Sequence, residues 1–249
     1  MESREDDPTP PQANAPAFNA PLAVLLTIAA FVLAHWARTH FLTPQQDNEL
    51  LVTFSVIPAL YDAWWRGVPL AQLPGGGWGL LAAPFTHFFL HANWTHVAMN
   101  GLWLLVFATP VARRLGGARY LALALLSAAA GAFTFMALHW GADVILLGAS
   151  GGVSGLMGAA VRLIYAGGQP LAIGIRRDVR RVRPLTFMQA LLLPGPRLFI
   201  LVWIGLNVVI SFIGFGVGQG MDNIAGEAHI GGFFAGMALF GLFDRPSRS

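Results

Sequence analysis

Residues 148–158 read Gly-Ala-Ser-Gly-Gly-Val-Ser-Gly-Leu-Met-Gly and form the densest motif in the chain. The small residues at positions 148, 151 or 152, 155 and 158 recur every three to four positions. On a helix this spacing makes a smooth face, which lets a second backbone approach closely, as in pairs of membrane helices. Gly232 and Gly236 repeat the pattern near the end of the chain. We therefore expect these two segments to be helices that pack against each other.

The composition is that of a polytopic membrane protein. Of the 249 residues, 55% are hydrophobic and only 11% are charged, whereas soluble domains have roughly 25% charged residues. The sequence has no cysteine, which excludes disulfides, thiolate nucleophiles and cysteine-type zinc sites. All 15 basic residues are arginines that cluster between apolar runs, so the pI of about 10.2 does not indicate a nucleic-acid partner.

Six apolar runs predict an all-α protein with six transmembrane helices, because each run is near the roughly 20 residues that cross a hydrocarbon core of about 30 Å. The runs are residues 20–37, 94–112, 118–139, 145–166, 197–218 and 225–243. They delimit one membrane domain, 20–243, which lies between a proline-rich acidic tail at 1–19, expected to be disordered, and a short tail at 244–249.

The first loop, residues 38–93, is too long to be a simple connector, and we expect it to be structured. Its apolar piece at 50–65 is short and contains Pro58 and Asp62, which favours an amphipathic segment in the membrane interface over a seventh span.

The arginines predict the orientation of the protein in the membrane. The connections after the second and fourth apolar runs carry most of them, whereas the loops on the other side hold only Arg38 and Arg66. The positive-inside rule then places both termini in the cytoplasm. The N-terminus is not a basic signal peptide or an arginine-rich transit peptide, which fits a bacterial cytoplasmic membrane.

Polar residues interrupt three of the apolar runs at similar positions. His96 and Asn100 lie in the first turns of the second run, Ser150 in those of the fourth, and His229 in those of the sixth. Helices that run in the same direction would bring these residues to one depth. A serine and a neutral imidazole are the minimum parts of a nucleophile and its base, so we expect Ser150 to transfer its proton to His229. The alternative is that the small residues serve helix packing alone.

These motifs resemble those of the rhomboid intramembrane serine proteases. The similarity lies in Gly-x-Ser-Gly at 148–151, in Ala-His-x-x-Gly-x-x-x-Gly at 228–236 and in His-x-x-x-Asn at 96–100, and Phe85-Thr86-His87 with His91 looks like the family's entry from the first loop. The order and spacing match over about residues 20–243.

The resemblance implies hydrolysis of a peptide bond in or near a transmembrane segment of a substrate protein in the lipid bilayer, by a Ser-His dyad without metal or cofactor. Ser150 would be the nucleophile and His229 the general base. His96 and Asn100, with the backbone N–H of Ser150, would stabilise the oxyanion, and Gly148 would support packing. Glu227 is two residues from His229 and points to another helix face, which favours a dyad over a triad.

The sequence departs from the family pattern in two places. Ser154 occupies the position of an aromatic ring that usually stacks on the histidine, so His229 must be held otherwise, by Phe233 or by a hydrogen bond from Ser154. The Trp-Arg pair of the first loop is absent from Leu81-Ala82-Ala83-Pro84. A second Gly-x-Ser-Gly at 152–155 offers Ser154 as another nucleophile, but Ser150 has the family's downstream Leu-x-Gly spacing.

Three alternatives remain at this stage. His87, His91 and His96 suggest a zinc cluster, although their spacing without a nearby carboxylate disfavours it. An inactive relative would bind transmembrane segments without cleaving them, but it would lack the serine or the histidine. A transporter that uses intramembrane His and Asn would show an inverted repeat and acidic residues within its spans, and neither is evident. The sequence does not indicate an oligomeric state.

Overall fold

The computed structural model describes residues 20–166, 179–180, 182–213 and 225–244, and within these residues the regular secondary structure is entirely helical. The helices are α1 (Leu22–Phe41), α2 (Pro44–Phe54), α3 (Pro58–Trp65), α4 (Gly76–Thr86), α5 (Trp94–Leu115), α6 (Gly117–Leu138), α7 (Ser150–Ile164), α8 (Phe187–Leu192), α9 (Pro194–Ile213) and α10 (Gly226–Phe243), with 3-10 turns at Leu70–Gln72 and His87–Phe89. The predicted tail at 1–19 lies outside the described residues, as does the second tail beyond Asp244.

One helix corresponds to each of the six apolar runs, which confirms the prediction of an all-α polytopic bundle. Four of these helices, α1, α5, α6 and α10, are long and apolar enough to cross a membrane. Two shorter apolar helices complete the set: α7 (Ser150–Ile164) and the part of α9 over Pro194–Val209. The fourth run differs most from expectation, because its first residues are not helical and α7 begins only at Ser150.

Helix α7 lies at the centre of the bundle and packs against α5, α6 and α10. Twelve of its fifteen residues are buried, so it is surrounded by protein rather than by lipid. A helix enclosed on all sides needs small side chains where its neighbours approach, and this explains the glycines of the 148–158 motif.

The predicted close pairing of α7 and α10 is confirmed by their backbones. A Cβ atom added to Gly236 would overlap the backbone of Gly155, and one added to Gly232 would overlap the carbonyl oxygen of Gly151. On the other helix, a Cβ atom on Gly155 would come within 2.8 Å of the Gly232 carbonyl oxygen. The glycines therefore set the distance between the two helices.

The first loop folds back onto the bundle. Arg38 at the end of α1 binds both carboxylate oxygens of Asp47 at 2.7 and 3.1 Å and donates to the carbonyl oxygen of His91 at 2.9 Å. Val56 and Leu146 exchange backbone hydrogen bonds of 3.0 and 2.8 Å, which attach the loop to the segment before α7. The apolar piece at 50–65 is not one amphipathic segment, because Pro58 starts a second helix after a break at Ser55.

Arginines tie the helices together at the opposite end of the bundle. Arg114, at the end of α5, forms a bidentate ion pair with Asp244, at 2.6 and 3.0 Å, just after α10. Arg162 of α7 donates to the carbonyl oxygens of Leu185 and Met237 at 2.7 and 2.9 Å. We call this the arginine end of the bundle.

Candidate active site

Ser150 is the first residue of α7, and the turn before it determines how the side chain is presented. Gly148 has φ +116°, a backbone conformation that favours glycine, and its N–H donates to the carbonyl oxygen of His87 at 3.0 Å. Because Ser150 starts the helix, its own N–H has no intrahelical acceptor. The hydroxyl and a free backbone donor thus lie together at the positive end of a helix dipole.

His229 lies in the first turn of α10 and contacts Ser150 across the glycine interface. Its Nε2 atom is 2.7 Å from the Ser150 Oγ atom, and both residues are partly buried. The structure thus brings together the serine and histidine that the sequence motifs singled out. The close approach of Gly232 to Gly151 makes this short distance possible, because a larger residue at either position would separate the helices.

The second ring nitrogen of His229 hydrogen-bonds to Asn207 of α9, with 2.7 Å between Nδ1 and Oδ1. The sequence motifs do not include this residue, and the expected holders of His229 were Phe233 or a hydrogen bond from Ser154. Asn207 is 2% exposed. The available signal was a single amide inside the apolar run 197–218, because a polar group in such a run requires a partner.

His96 and Asn100 lie on α5 beside Gly148, two residues before the serine. A Cβ atom on Gly148 would be 2.6 Å from the His96 Nε2 atom and 3.8 Å from the Asn100 Nδ2 atom. The Nδ1 atom of His96 accepts from the Ala92 N–H at 3.5 Å, which leaves Nε2 as the donor. The N-terminal ends of α5, α7 and α10 therefore meet at one end of the bundle, with N–H donors close to the turn at 148–150.

Ser154, the other serine considered, is 3% exposed and lies one turn further along α7. Glu227 does not face Ser150. Its Oε1 atom is 2.6 Å from the Nε2 atom of His139, which links the start of α10 to the end of α6.

The remaining histidines of the first loop are buried beside the site. Burial lowers the pKa of His87 to about 4, and its Nδ1 atom hydrogen-bonds to the Ala83 carbonyl oxygen at 2.9 Å. Burial and the neighbouring His96 lower the pKa of His91 to about 3. Within the described part of the chain, no group of three or more His, Asp or Glu side chains is arranged to hold a metal ion.

Residues 78–245, more than half of the chain, match the family model of the Rhomboid domain. The chain belongs to the rhomboid family. The rhomboid family is known for intramembrane serine proteases, which act on transmembrane substrates in the bilayer. The rhomboid match begins within α4 and includes Ser150 and His229. A search of curated proteins found no match to the chain.

Proposed function

We propose that this rhomboid protein is a serine endopeptidase that cleaves peptide bonds within or near transmembrane segments through a Ser150-His229 dyad. The observation that carries the proposal is the 2.7 Å distance between the Ser150 Oγ and His229 Nε2 atoms. This is the contact through which a base takes the proton of a nucleophilic hydroxyl.

The first half of the reaction forms an acyl enzyme. The Ser150 Oγ atom attacks the carbonyl carbon of the scissile bond while its proton passes to the His229 Nε2 atom. The tetrahedral intermediate then collapses, the C–N bond breaks, and the imidazolium returns the proton to the leaving amine. In the second half, water loses a proton to Nε2 and attacks the ester carbonyl carbon. The C–O bond to Ser150 then breaks, the imidazolium returns the proton to Oγ, and the new carboxyl terminus is released.

The negative charge on the intermediate requires donors that are already in place. His96 Nε2–H, Asn100 Nδ2–H and the Ser150 backbone N–H are the proposed donors, because the two side chains approach Gly148 and the N–H group belongs to the nucleophile itself. Each donor in such a site stabilises the transition state by roughly 3 kcal/mol.

A substrate must expose its backbone before it can react. The carbonyl groups of an intact transmembrane helix are engaged in hydrogen bonds, so substrates with weak helices near the cleavage site are expected to react fastest. We propose a location in a bacterial cytoplasmic membrane. The arginine distribution supports an orientation with both termini in the cytoplasm, which would place the serine in the outer half of the bilayer.

The experiment that tests the proposal uses full-length protein reconstituted with a single-span reporter. We expect Ser150→Ala and His229→Ala each to reduce cleavage by on the order of 10⁴-fold or more, with expression intact. A fluorophosphonate probe should label the wild-type protein and fail to label Ser150→Ala.

Ser154→Ala is the matched control, since it removes a serine one turn away on the same helix, and it should cleave and label like the wild-type protein. Cleavage that survives in Ser150→Ala but not in Ser154→Ala would move the nucleophile by one turn. A wild-type protein that neither cleaves the reporter nor reacts with the probe would instead be a binder of transmembrane segments or a transporter.

A further inference from the structure

Asn207 is a buried amide on α9, and the residues next to it in the sequence, Leu206 and Val208, face outward. Its side chain is 2% exposed, whereas Leu206 and Val208 are 49% and 41% exposed. A polar side chain in an apolar helix is costly unless its hydrogen bonds are made. Both ends of the Asn207 amide are bonded, one to its own helix and one to α10.

The bond within α9 fixes which way the amide points. The nitrogen Nδ2 donates to the carbonyl oxygen of Trp203 at 2.8 Å. A carbonyl oxygen only accepts, so the group that faces it must be the NH₂ end. The oxygen Oδ1 is then the atom that faces His229, and an amide oxygen also only accepts.

This orientation determines the tautomer of His229. Because Oδ1 accepts, the proton of the neutral imidazole lies on Nδ1 and the lone pair lies on Nε2. Nε2 is the atom 2.7 Å from the Ser150 hydroxyl. The imidazole is thereby held in the form, and in the ring orientation, that accepts a proton from serine.

We infer that Asn207 is a positioning residue that holds His229 as the Nδ1-protonated base for Ser150. The inference rests on the proposed function, and it adds a third side chain to the predicted dyad. Three helices contribute to the row, with Asn207 from α9, His229 from α10 and Ser150 from α7. A neutral amide does this without placing a carboxylate in an apolar bundle, where an ion would carry a large desolvation cost.

Two substitutions separate the hydrogen bond from the packing. Asn207→Leu keeps the approximate shape and removes the acceptor. Asn207→Asp keeps an oxygen at the position of Oδ1, and its neutral acid form, which an apolar site favours, can donate its O–H to the Trp203 carbonyl oxygen in place of Nδ2. We expect Asn207→Leu to lower kcat for the reporter by on the order of 100-fold, with KM within about twofold, since loss of the correct tautomer acts on the chemical step. The rate of fluorophosphonate labelling of Ser150 should fall in parallel.

Asn207→Asp should recover most of the lost kcat and labelling rate. Val208→Ala is the control on the same helix, because Val208 faces outward, and it should leave both rates unchanged. A purely structural role would lower the melting temperature of Asn207→Leu and Asn207→Asp alike and would give no recovery with aspartate.

The tautomer can also be measured without substrate. Nitrogen-15 NMR of histidine-labelled wild-type protein, with the His229 signal assigned by its loss in His229→Ala, should show a protonated Nδ1 and an unprotonated Nε2. Asn207→Leu should lose that preference.

Wild-type kcat and labelling in Asn207→Leu, or a His229 ring protonated on Nε2 in the wild-type protein, would overturn the inference. Both results leave the proposed function standing as long as Ser150→Ala is inactive. Conversely, an active Ser150→Ala variant would remove the proposed function whatever the tautomer.

Discussion

Gly148 lies in the turn before Ser150 and packs against the His96 and Asn100 side chains of α5. Its φ of +116° is strained for any residue with a Cβ atom, and a Cβ atom there would lie 2.6 Å from both the Cε1 and the Nε2 atoms of His96. The glycine therefore has two separate requirements, one for the backbone and one for space beside the proposed oxyanion donors.

The substitution Gly148→Ala tests both requirements. We expect backbone strain of about 1–3 kcal/mol together with displacement of the His96 ring, and a fall in kcat that exceeds any effect on the amount of folded protein. Melting temperature and reporter cleavage, measured on the same preparations, check this.

Gly67→Ala is the matched control, because Gly67 has φ +95° and nothing within 4 Å of an added Cβ atom. It carries the strain without the clash, so it should lower stability and leave kcat unchanged. Equal loss of kcat in the two variants would refute the specific role of Gly148.

The site residues differ in how far the sequence could predict them. Four of the site residues lie in short motifs whose spacing can be read within a single helix: Ser150, His229, His96 and Asn100. Asn207 has no such motif, because its partner is on another helix and only the crossing of α9 and α10 brings them together. A lone polar residue predicts that some partner exists, but it does not identify the partner.

At the scale of helices, the site depends on the separation of α7 and α10. Gly155 and Gly236 meet backbone to backbone one turn beyond the pair formed by Gly151 and Gly232. A change at Gly236 therefore affects the interface without touching the reacting groups.

We expect Gly236→Ala to destabilise the bundle by about 1–3 kcal/mol or more, because the added methyl group overlaps the Gly155 backbone and forces the helices apart. Thermal unfolding in detergent measures the loss. The separation should also lengthen the contact between Ser150 and His229, so the fluorophosphonate labelling rate should fall.

Gly205→Ala provides the comparison within a helix. An added Cβ atom on Gly205 has nothing within 4 Å, and alanine is the better helix former by about 1 kcal/mol. Its melting temperature should be unchanged or higher. A Gly236→Ala variant as stable as Gly205→Ala would contradict the packing argument.

Apolar runs predicted the position of each long helix, but they placed the start of α7 too early. Residues 144–147 are Val-Ile-Leu-Leu, which by composition suit a helix as well as any other buried segment. They are not helical because Leu146 pairs with Val56, a residue ninety positions earlier in the chain. A pattern within one run cannot reveal a bond to a distant loop.

The whole molecule has two chemically different ends. Ser150, His229 and the first loop lie at one end, and the arginine end lies at the other. The positive-inside rule predicts that the arginine end faces the cytoplasm.

Single-cysteine variants test this orientation directly, because the natural sequence has no cysteine. Asn48 in the first loop and Ala118 in the first turn of α6 are both exposed. In spheroplasts, a membrane-impermeant maleimide should label Asn48→Cys, whereas Ala118→Cys should react only after lysis. The reverse labelling would invert the topology, and the cysteine-free parent is the blank.

The shortness of α7 has a consequence for the depth of Ser150 in the bundle. Fifteen residues rise only about 22 Å, so this helix falls about 8 Å short of a hydrocarbon core of about 30 Å. At the Ser150 end, a non-helical segment bonded to Val56 and His87 precedes the helix. Polar backbone is tolerated at such a level only where protein or water covers it. Because α7 is enclosed by α5, α6 and α10, these helices cover that backbone, and the depth at which Ser150 meets water follows from the number of residues in α7.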